Sequence, residues 1–210
     1  MASKQAQARL PIVIVLAAGQ GRRFRQSGGT MHKLDALLGG MPVLERVLRT
    51  VAASGLDCHV VRPEQGACAA LSGMGDSIAR GVRATADAAG WLILPGDLPL
   101  VRAQSLLRVA RELAAQPVVT PLWNGQQGHP VGFRAECFEA LTLLRGDIGA
   151  ASVVRAFRQV GALRELHLDD PGIAADIDTL ENLAHAEKAL ASRLHTLHPE
   201  PAEERCYGKH

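Results

Sequence analysis

Apolar positions along this chain fall into short runs separated by longer stretches of helical spacing. Ile12-Val13-Ile14-Val15-Leu16 is an unbroken aliphatic run, the pattern of a strand buried on both faces. Residues 58–61, 91–94 and 117–120 form further short runs, and residues 130–133 and 163–168 can each add a strand. Between them, Val43, Leu44, Val47, Leu48 and Val51 recur at i, i+3 and i+4, predicting an amphipathic helix over 43–53. Residues 76–88, 103–114 and 135–144 repeat that spacing, and a last helix is expected over 180–194. Short strands alternating with helices predict an α/β fold: a Rossmann-like, mostly parallel sheet with helices on both faces.

Length and composition narrow this picture. With 210 residues, one domain over 1–195 is expected. From Thr196 the chain turns polar and proline-containing, and 196–210 is predicted to be a disordered tail. Aromatic residues are only 3% of the chain, so the core must be aliphatic, and stacking platforms for single-stranded nucleic acid are not expected. A net charge of +2 with interspersed signs gives no electrostatic footprint for nucleic acid or for an acidic membrane. Cys58, Cys68, Cys137 and Cys206 form no CxxC pair and fit a reducing compartment. Lys4 and Arg9 precede the apolar run from Pro11 to Ala18, but that run is short and stops at Gly19-Gln20-Gly21-Arg22-Arg23. A cytoplasmic protein without a secretion signal or membrane span is therefore expected.

The first strand leads into Leu16-Ala17-Ala18-Gly19-Gln20-Gly21-Arg22-Arg23-Phe24. Glycines after a strand let backbone N–H groups converge on an anion. Gly19-x-Gly21-x-x-Phe24 approaches the dinucleotide fingerprint, but a phenylalanine stands where helix and strand need a small residue. Two arginines and Lys33 supply cations that a triphosphate needs more than a dinucleotide does. No GxxxxGK[ST] motif is present, which argues against a P-loop. Asp97, in Leu94-Pro95-Gly96-Asp97-Leu98-Pro99, follows the strongest strand, where open α/β sheets bind ligands and where a carboxylate can hold Mg²⁺. It reads nearly as well as a turn residue. Asp176-Ile177-Asp178 puts two carboxylates on one side of an extended segment, or supplies a helix cap at Asp178 or Thr179.

The residues Leu16-Ala17-Ala18-Gly19-x-Gly21-x-Arg23, His32-Lys33-Leu34, Gly73-Met74-Gly75-x-Ser77, Gly96-Asp97-x-Pro99-x-Val101, Gly128-His129-Pro130-Val131-x-Phe133, Gly146-Asp147-x-Gly149-Ala150 and Asp176-Ile177-Asp178-Thr179 together resemble the MobA-like nucleotidyltransferases. Within them, the chain is similar to the molybdenum cofactor cytidylyltransferases. The resemblance implies a nucleotide-diphospho-sugar transferase-like fold and a nucleotide site built from Leu16, Ala17, Ala18, Gly19, Gly21, Arg23, Lys33, Ser77 and Asp97. It implies Arg23, Lys33 and Asp97 as catalytic residues and Mg²⁺ as cofactor, held by Asp97 and Asp178 with Asp176 as the alternative second ligand. His129 and Pro130 would line the acceptor side. Guanylyl-transferring relatives read Leu-Ala-Gly-Gly in the first loop, so Ala18 favours CTP. The implied acceptor is the phosphate of a molybdopterin-type cofactor, with a molybdoenzyme or its chaperone as a protein partner.

The chain also departs from the family pattern. Phe24 to Met31 lengthens the segment before Lys33 and reads as a lid, and the region from Ser54 to Gly73 is short. Three rival readings accompany the resemblance. One is transfer to another acceptor (GTP with a pterin, or a sugar phosphate), another is an NAD(P)-binding oxidoreductase, and the third is a non-catalytic cofactor chaperone.

Overall fold

The structure, a computed structural model, describes residues 10–63 and 73–197. In chain order the elements are β1 (Ile12–Leu16), α1 (Arg22–Gln26), β2 (Leu37–Leu38), β3 (Met41–Pro42), α2 (Val43–Ser54) and β4 (Cys58–Val61). Then come α3 (Met74–Ala84), β5 (Gly90–Pro95), α4 (Ala103–Glu112), β6 (Val118–Trp123), β7 (Gln126–Gln127) and β8 (Val131–Arg134). The chain continues through a 3₁₀ turn (Ala135–Cys137), α5 (Phe138–Thr142), α6 (Ala151–Gln159), β9 (Leu163–His167), a second 3₁₀ turn (Pro171–Ala174) and α7 (Leu180–Leu197).

Seven strands form one sheet in the order β4-β1-β5-β8-β6-β7, with β9 paired to β6. β4, β1 and β5 run parallel, as do β6 and β9, while β8 is antiparallel to both β5 and β6. The register aligns Leu16 with both Val61 and Pro95, so three parallel strands end together at one carboxyl edge. That edge is where an α/β sheet leaves backbone and loops free for ligand.

Side-chain alternation along the strands sorts the core into two layers. Val13, Val15, Leu92 and Leu94 face one side and pack with Val47 and Val51 of α2 and Leu106 and Val109 of α4. Ile14, Trp91 and Ile93 face the other side, against Ile78 and Val82 of α3, Leu141 of α5 and Val153 and Val154 of α6. A third cluster lies beneath the carboxyl edge: Ala17, Phe24, Leu34, Ala36, Leu38, Val43, Leu100, Ile177 and Ala186.

The strands expected from the aliphatic runs are all present, with ends shifted by at most a few residues. The helix expected over 135–144 is broken into a 3₁₀ turn and one short α-helix. The tail predicted from Thr196 begins within α7, which continues to Leu197, and its remainder lies outside the described residues. The shortened region from Ser54 to Gly73 also lies partly outside them. The stretch read as a lid is anchored at two points, with Arg25 to Gly28, Thr30 and Met31 exposed. Phe24 is 2% exposed within the third cluster, and Leu180 N–H donates to the Ser27 hydroxyl at 3.0 Å. Among the described residues, no helix is long and apolar enough to cross a membrane.

One buried carboxylate ties the later elements together. Asp170 is 1% exposed and accepts from Arg102 N–H at 2.9 Å, the Ser105 hydroxyl at 2.7 Å and Gly172 N–H at 3.0 Å. Arg193 of α7 approaches it at 3.6 Å and donates to the Leu100 carbonyl at 2.6 Å. Replacing Asp170 with alanine leaves these donors unpaired in the interior and is expected to cost about 3 kcal/mol. The expected fall in Tm is then roughly 6–12 °C for a domain of this size, read by thermal denaturation.

Candidate active site

The loop after β1 is fixed by its neighbours at the carboxyl edge. Ala17 N–H donates to the Val61 carbonyl at 2.9 Å, and Gly96 N–H donates to the Leu16 carbonyl at 2.9 Å. These bonds hold the Gly19 loop and the Asp97 turn side by side. Gly21 then adopts φ +60°, a left-handed conformation that glycine enters without penalty, and α1 starts at the next residue. His32 Nε2 lies 2.8 Å from the Gly19 carbonyl, closing the loop from the far side. Thr179 caps α7: its hydroxyl accepts from Asn182 N–H at 3.2 Å, and Asn182 Oδ1 accepts from the N–H groups of Asp178 and Thr179. Capping is therefore done by Thr179 and Asn182, and the Asp178 carboxylate is released for other contacts. Ile177 N–H donates to the Asp97 carbonyl at 2.9 Å, which brings Asp178 beside Asp97.

At this junction the Lys33 ammonium sits 2.6 Å from Asp97 Oδ2 and 2.6 Å from Asp178 Oδ1. Arg23 reaches the other oxygen of Asp178 at 2.5 Å, from a side chain that is 77% exposed. The second oxygen of Asp97 is buried with no hydrogen-bond partner among the described residues. A bare buried carboxylate oxygen is costly unless a ligand or ion supplies a partner. No group of three or more His, Cys, Asp or Glu that could hold a metal occurs among the described residues. Two carboxylates suit a hard cation that takes its remaining ligands from phosphate and water, as Mg²⁺ does, and do not suit a structural zinc. The donor set thus fits the expected Mg²⁺.

Next to this cluster opens a cavity of about 400 Å³. It is lined by Ala18, Gly19, Gln20, Gly21 and Arg22 of the first loop, by Lys33 and Leu34, by Gly73, Met74 and Ser77 at the start of α3, by Gly146 and Asp147, and by Leu16, Pro95 and Asp97 at the carboxyl edge. The Gly73 and Gly146 segments of the lining are tied together by Asp76, whose carboxylate accepts from both Gly73 N–H at 3.0 Å and Gly146 N–H at 2.8 Å. Those hydrogen bonds, Gly73 first, hold its carboxyl below the ordinary range against the opposing effect of desolvation. Gly73 must be glycine here, because a Cβ would lie 2.1 Å from the Gly146 carbonyl carbon.

Of the residues expected at the nucleotide, Leu16, Ala18, Gly19, Gly21, Lys33, Ser77 and Asp97 line this cavity. Ala17 turns inward and is buried in the third core cluster. Arg23 joins the site through Asp178, while Arg22 lines the cavity in its place. Asp178 contacts Lys33, and no ion pair joins Asp176 to Lys33 among the described residues. His129 and Pro130 stand outside the cavity lining, beside the end of β5, since β8 pairs Val131 with Ile93. His129 N–H donates to the Ile173 carbonyl at 2.8 Å, and its Nδ1 is buried without a partner among the described residues. Burial pushes the His129 pKa down, against the Ile93 carbonyl and the carboxylates of Asp97 and Asp176. The role of Asp76 was not expected from the sequence. An acidic residue at the third position of α3 was the available signal for Asp76.

Comparison with known proteins places the chain in a family. The chain matches the MobA-like NTP transferase domain over residues 13–162. It belongs to the MobA-like NTP transferase family. The bifunctional protein GlmU of Xanthomonas campestris pv. campestris is 30% identical over 142 residues, covering 59% of this chain and 30% of GlmU. The chain thus spans less than a third of the length of that curated relative. Among solved structures, a nucleotidyl transferase from Methanothermobacter superposes with a TM-score of 0.72 at 21% identity, covering 88% of this chain and 99% of its own. Rv0371c of Mycobacterium tuberculosis in complex with manganese gives 0.64 at 22% identity, covering 85% and 99%. Molybdopterin-guanine dinucleotide biosynthesis protein A of Archaeoglobus fulgidus gives 0.58 at 17% identity, covering 86% and 98%. At these identities the likeness is one of fold.

In this MobA-like domain the charge cluster has a definite pH signature. Burial alone would lower the Lys33 pKa, but Asp97 and then Asp178 outweigh it and hold the ammonium above its ordinary value. Burial would likewise raise Asp178, but Lys33 and then Arg23 hold its carboxyl below the usual range. Asp178 therefore contributes stability above its unfolded pKa of about 3.9, lost as pH falls through the lower folded value. Lys33 contributes stability below its unfolded pKa of about 10.4, lost as pH rises through the higher folded value. The stability gap between the wild type and Asp178→Asn should be flat from about pH 5 to 9 and shrink below about pH 4. Denaturant titrations at stepped pH measure it, and a gap that widens on acidification would contradict the pairing.

Proposed function

We propose that this chain is a Mg²⁺-dependent cytidylyltransferase that moves CMP from CTP onto the phosphate of a molybdopterin-type cofactor, with release of pyrophosphate. The observation that carries the reading is the Lys33–Asp97–Asp178 cluster, with its bare Asp97 oxygen, beside a cavity lined by the glycine loop. The triphosphate lies along Gly19 to Gly21, where backbone N–H groups and Arg22 supply donors. Arg23 and Lys33 draw charge toward the departing pyrophosphate. Asp97 and Asp178 hold the divalent cation, which when bound neutralises charge on the phosphate oxygens. The manganese bound by Rv0371c, a protein of the same fold, supports a divalent cation.

The base and ribose occupy the end bounded by Gly73, Met74, Ser77 and Asp147. Ala18 in the first loop supports CTP over GTP through the resemblance to the cytidylyl branch. The acceptor phosphate enters from the side of His129 and Pro130. It needs no protein base, because a phosphate monoester is already mostly ionised near neutral pH. The protein's contribution is to align the acceptor with the α-phosphorus and to neutralise charge.

The dinucleotide reading of the first loop lacks support in this geometry. Phe24 fills the third fingerprint position with a buried ring of the third core cluster, where a small residue would let helix and strand approach.

Pyrophosphate release tests the proposal, with CTP, GTP, ATP or UTP offered alongside molybdopterin, molybdenum cofactor or a sugar phosphate. Release is expected with CTP and the molybdopterin-type acceptor. Asp97→Asn should lower it by about 10²–10³-fold or more while the circular dichroism spectrum is unchanged. Near-normal turnover by Asp97→Asn would overturn the cation assignment, and turnover only with a sugar phosphate would overturn the acceptor.

A further inference from the structure

The space that a divalent cation needs between Asp97 and Asp178 is filled by a side chain of the protein itself. Lys33 Nζ stands 2.6 Å from one oxygen of Asp97 and 2.6 Å from one oxygen of Asp178. Its side chain is 12% exposed, so the ammonium exchanges little with solvent. Arg23 adds a second positive charge on the far oxygen of Asp178. Two carboxylates thus face two cations, and the site is already near neutral before any metal arrives. A divalent cation entering it would meet the ammonium at close range, a repulsion of like charges that a partly buried setting screens poorly.

We propose that Lys33 is the built-in counter-ion of the metal site: it holds Asp97 and Asp178 together in the nucleotide-free protein and passes to the triphosphate as the divalent cation takes its place. This rests on the reading that Asp97 and Asp178 receive that cation. The arrangement makes cation and nucleotide binding interdependent. The cation alone must expel Lys33 with nowhere for its charge to go. With a triphosphate present, the ammonium finds new anionic oxygens along the glycine loop, beside which its stem runs: a Cβ built on Gly21 would come within 3.4 Å of Lys33 Cγ. By linkage, whatever the nucleotide adds to cation affinity the cation adds to nucleotide affinity. The ammonium also keeps two neighbouring carboxylates from repelling each other before ligand binds.

The test is Mn²⁺ binding, followed by the electron paramagnetic resonance of free Mn²⁺, for wild type and Lys33→Met, each with and without CTP. Methionine keeps most of the length of the stem and removes the charge. The wild type is expected to bind Mn²⁺ about tenfold or more tightly with CTP than without it, within the usual range of coupled sites. Lys33→Met is expected to bind Mn²⁺ alone about tenfold or more tightly than the wild type, with CTP adding little further. Equal or weaker Mn²⁺ binding by Lys33→Met overturns the proposal. Should that variant fail to fold, the wild type decides: Mn²⁺ affinity unmoved by a bound CTP also overturns it. Absence of CTP binding by the wild type, read separately by thermal shift, would instead count against the cytidylyl reading, and the two Mn²⁺ affinities measured without nucleotide would still judge the role of Lys33.

Discussion

The site depends on one partly buried ammonium shared by two carboxylates. Lys33 follows the first helix, Asp97 follows β5 and Asp178 precedes α7, so three distant parts of the chain meet at 2.6 Å contacts. Such contacts form only if each backbone is placed independently, since ion pairs open to water add too little to fold the loops by themselves. The placement comes from the residues next door. Leu34 beside Lys33, Ile177 beside Asp178, Phe24 beside Arg23 and Ala17 beside Ala18 are all buried in the third core cluster. Neighbouring residues thus face opposite ways, one into apolar packing and the next into the site.

The carboxylates of the domain divide by what their oxygens meet. Asp170 and Asp76 accept from backbone N–H groups on separate segments and hold loops together. Asp97 gives one oxygen to Lys33 and keeps the other bare. A buried acceptor without a protein partner is open to a water, an ion or a ligand. Asp178 differs from Asp97 in being freed for its contacts by the Thr179 and Asn182 cap, which takes over the work at the start of α7.

Much of the fold was legible because aliphatic runs and helical spacing report burial directly. β1, with five aliphatic residues, and α2, with Val43, Val47 and Val51 on one face, could be placed to within a residue. What escaped had no periodic signal. α1 is five residues of mostly charged sequence, and β2, β3 and β7 are two residues each. The turn before β7 did carry a hairpin signature, Asn124-Gly125, with both residues at positive φ, as a tight two-residue hairpin loop requires. α6 is the exception: Val153, Val154 and Phe157 recur at helical spacing and pack on the core, yet no helix was expected there. At the site, Gly19, Lys33 and Asp97 could be singled out by residue type and position. Whether Asp178 capped α7 or left its carboxylate free for Lys33 could not, because that turns on hydrogen bonds made by Asn182.

The most direct test of the central claim is a thermal-shift panel with CTP, GTP, ATP, UTP and NADH, each with and without Mg²⁺. A ligand at 100 times its Kd should add about 2.7 kcal/mol to stability. Stabilisation by CTP that requires Mg²⁺ is the predicted result. Stabilisation by NADH alone, or by no nucleoside triphosphate at all, would contradict it.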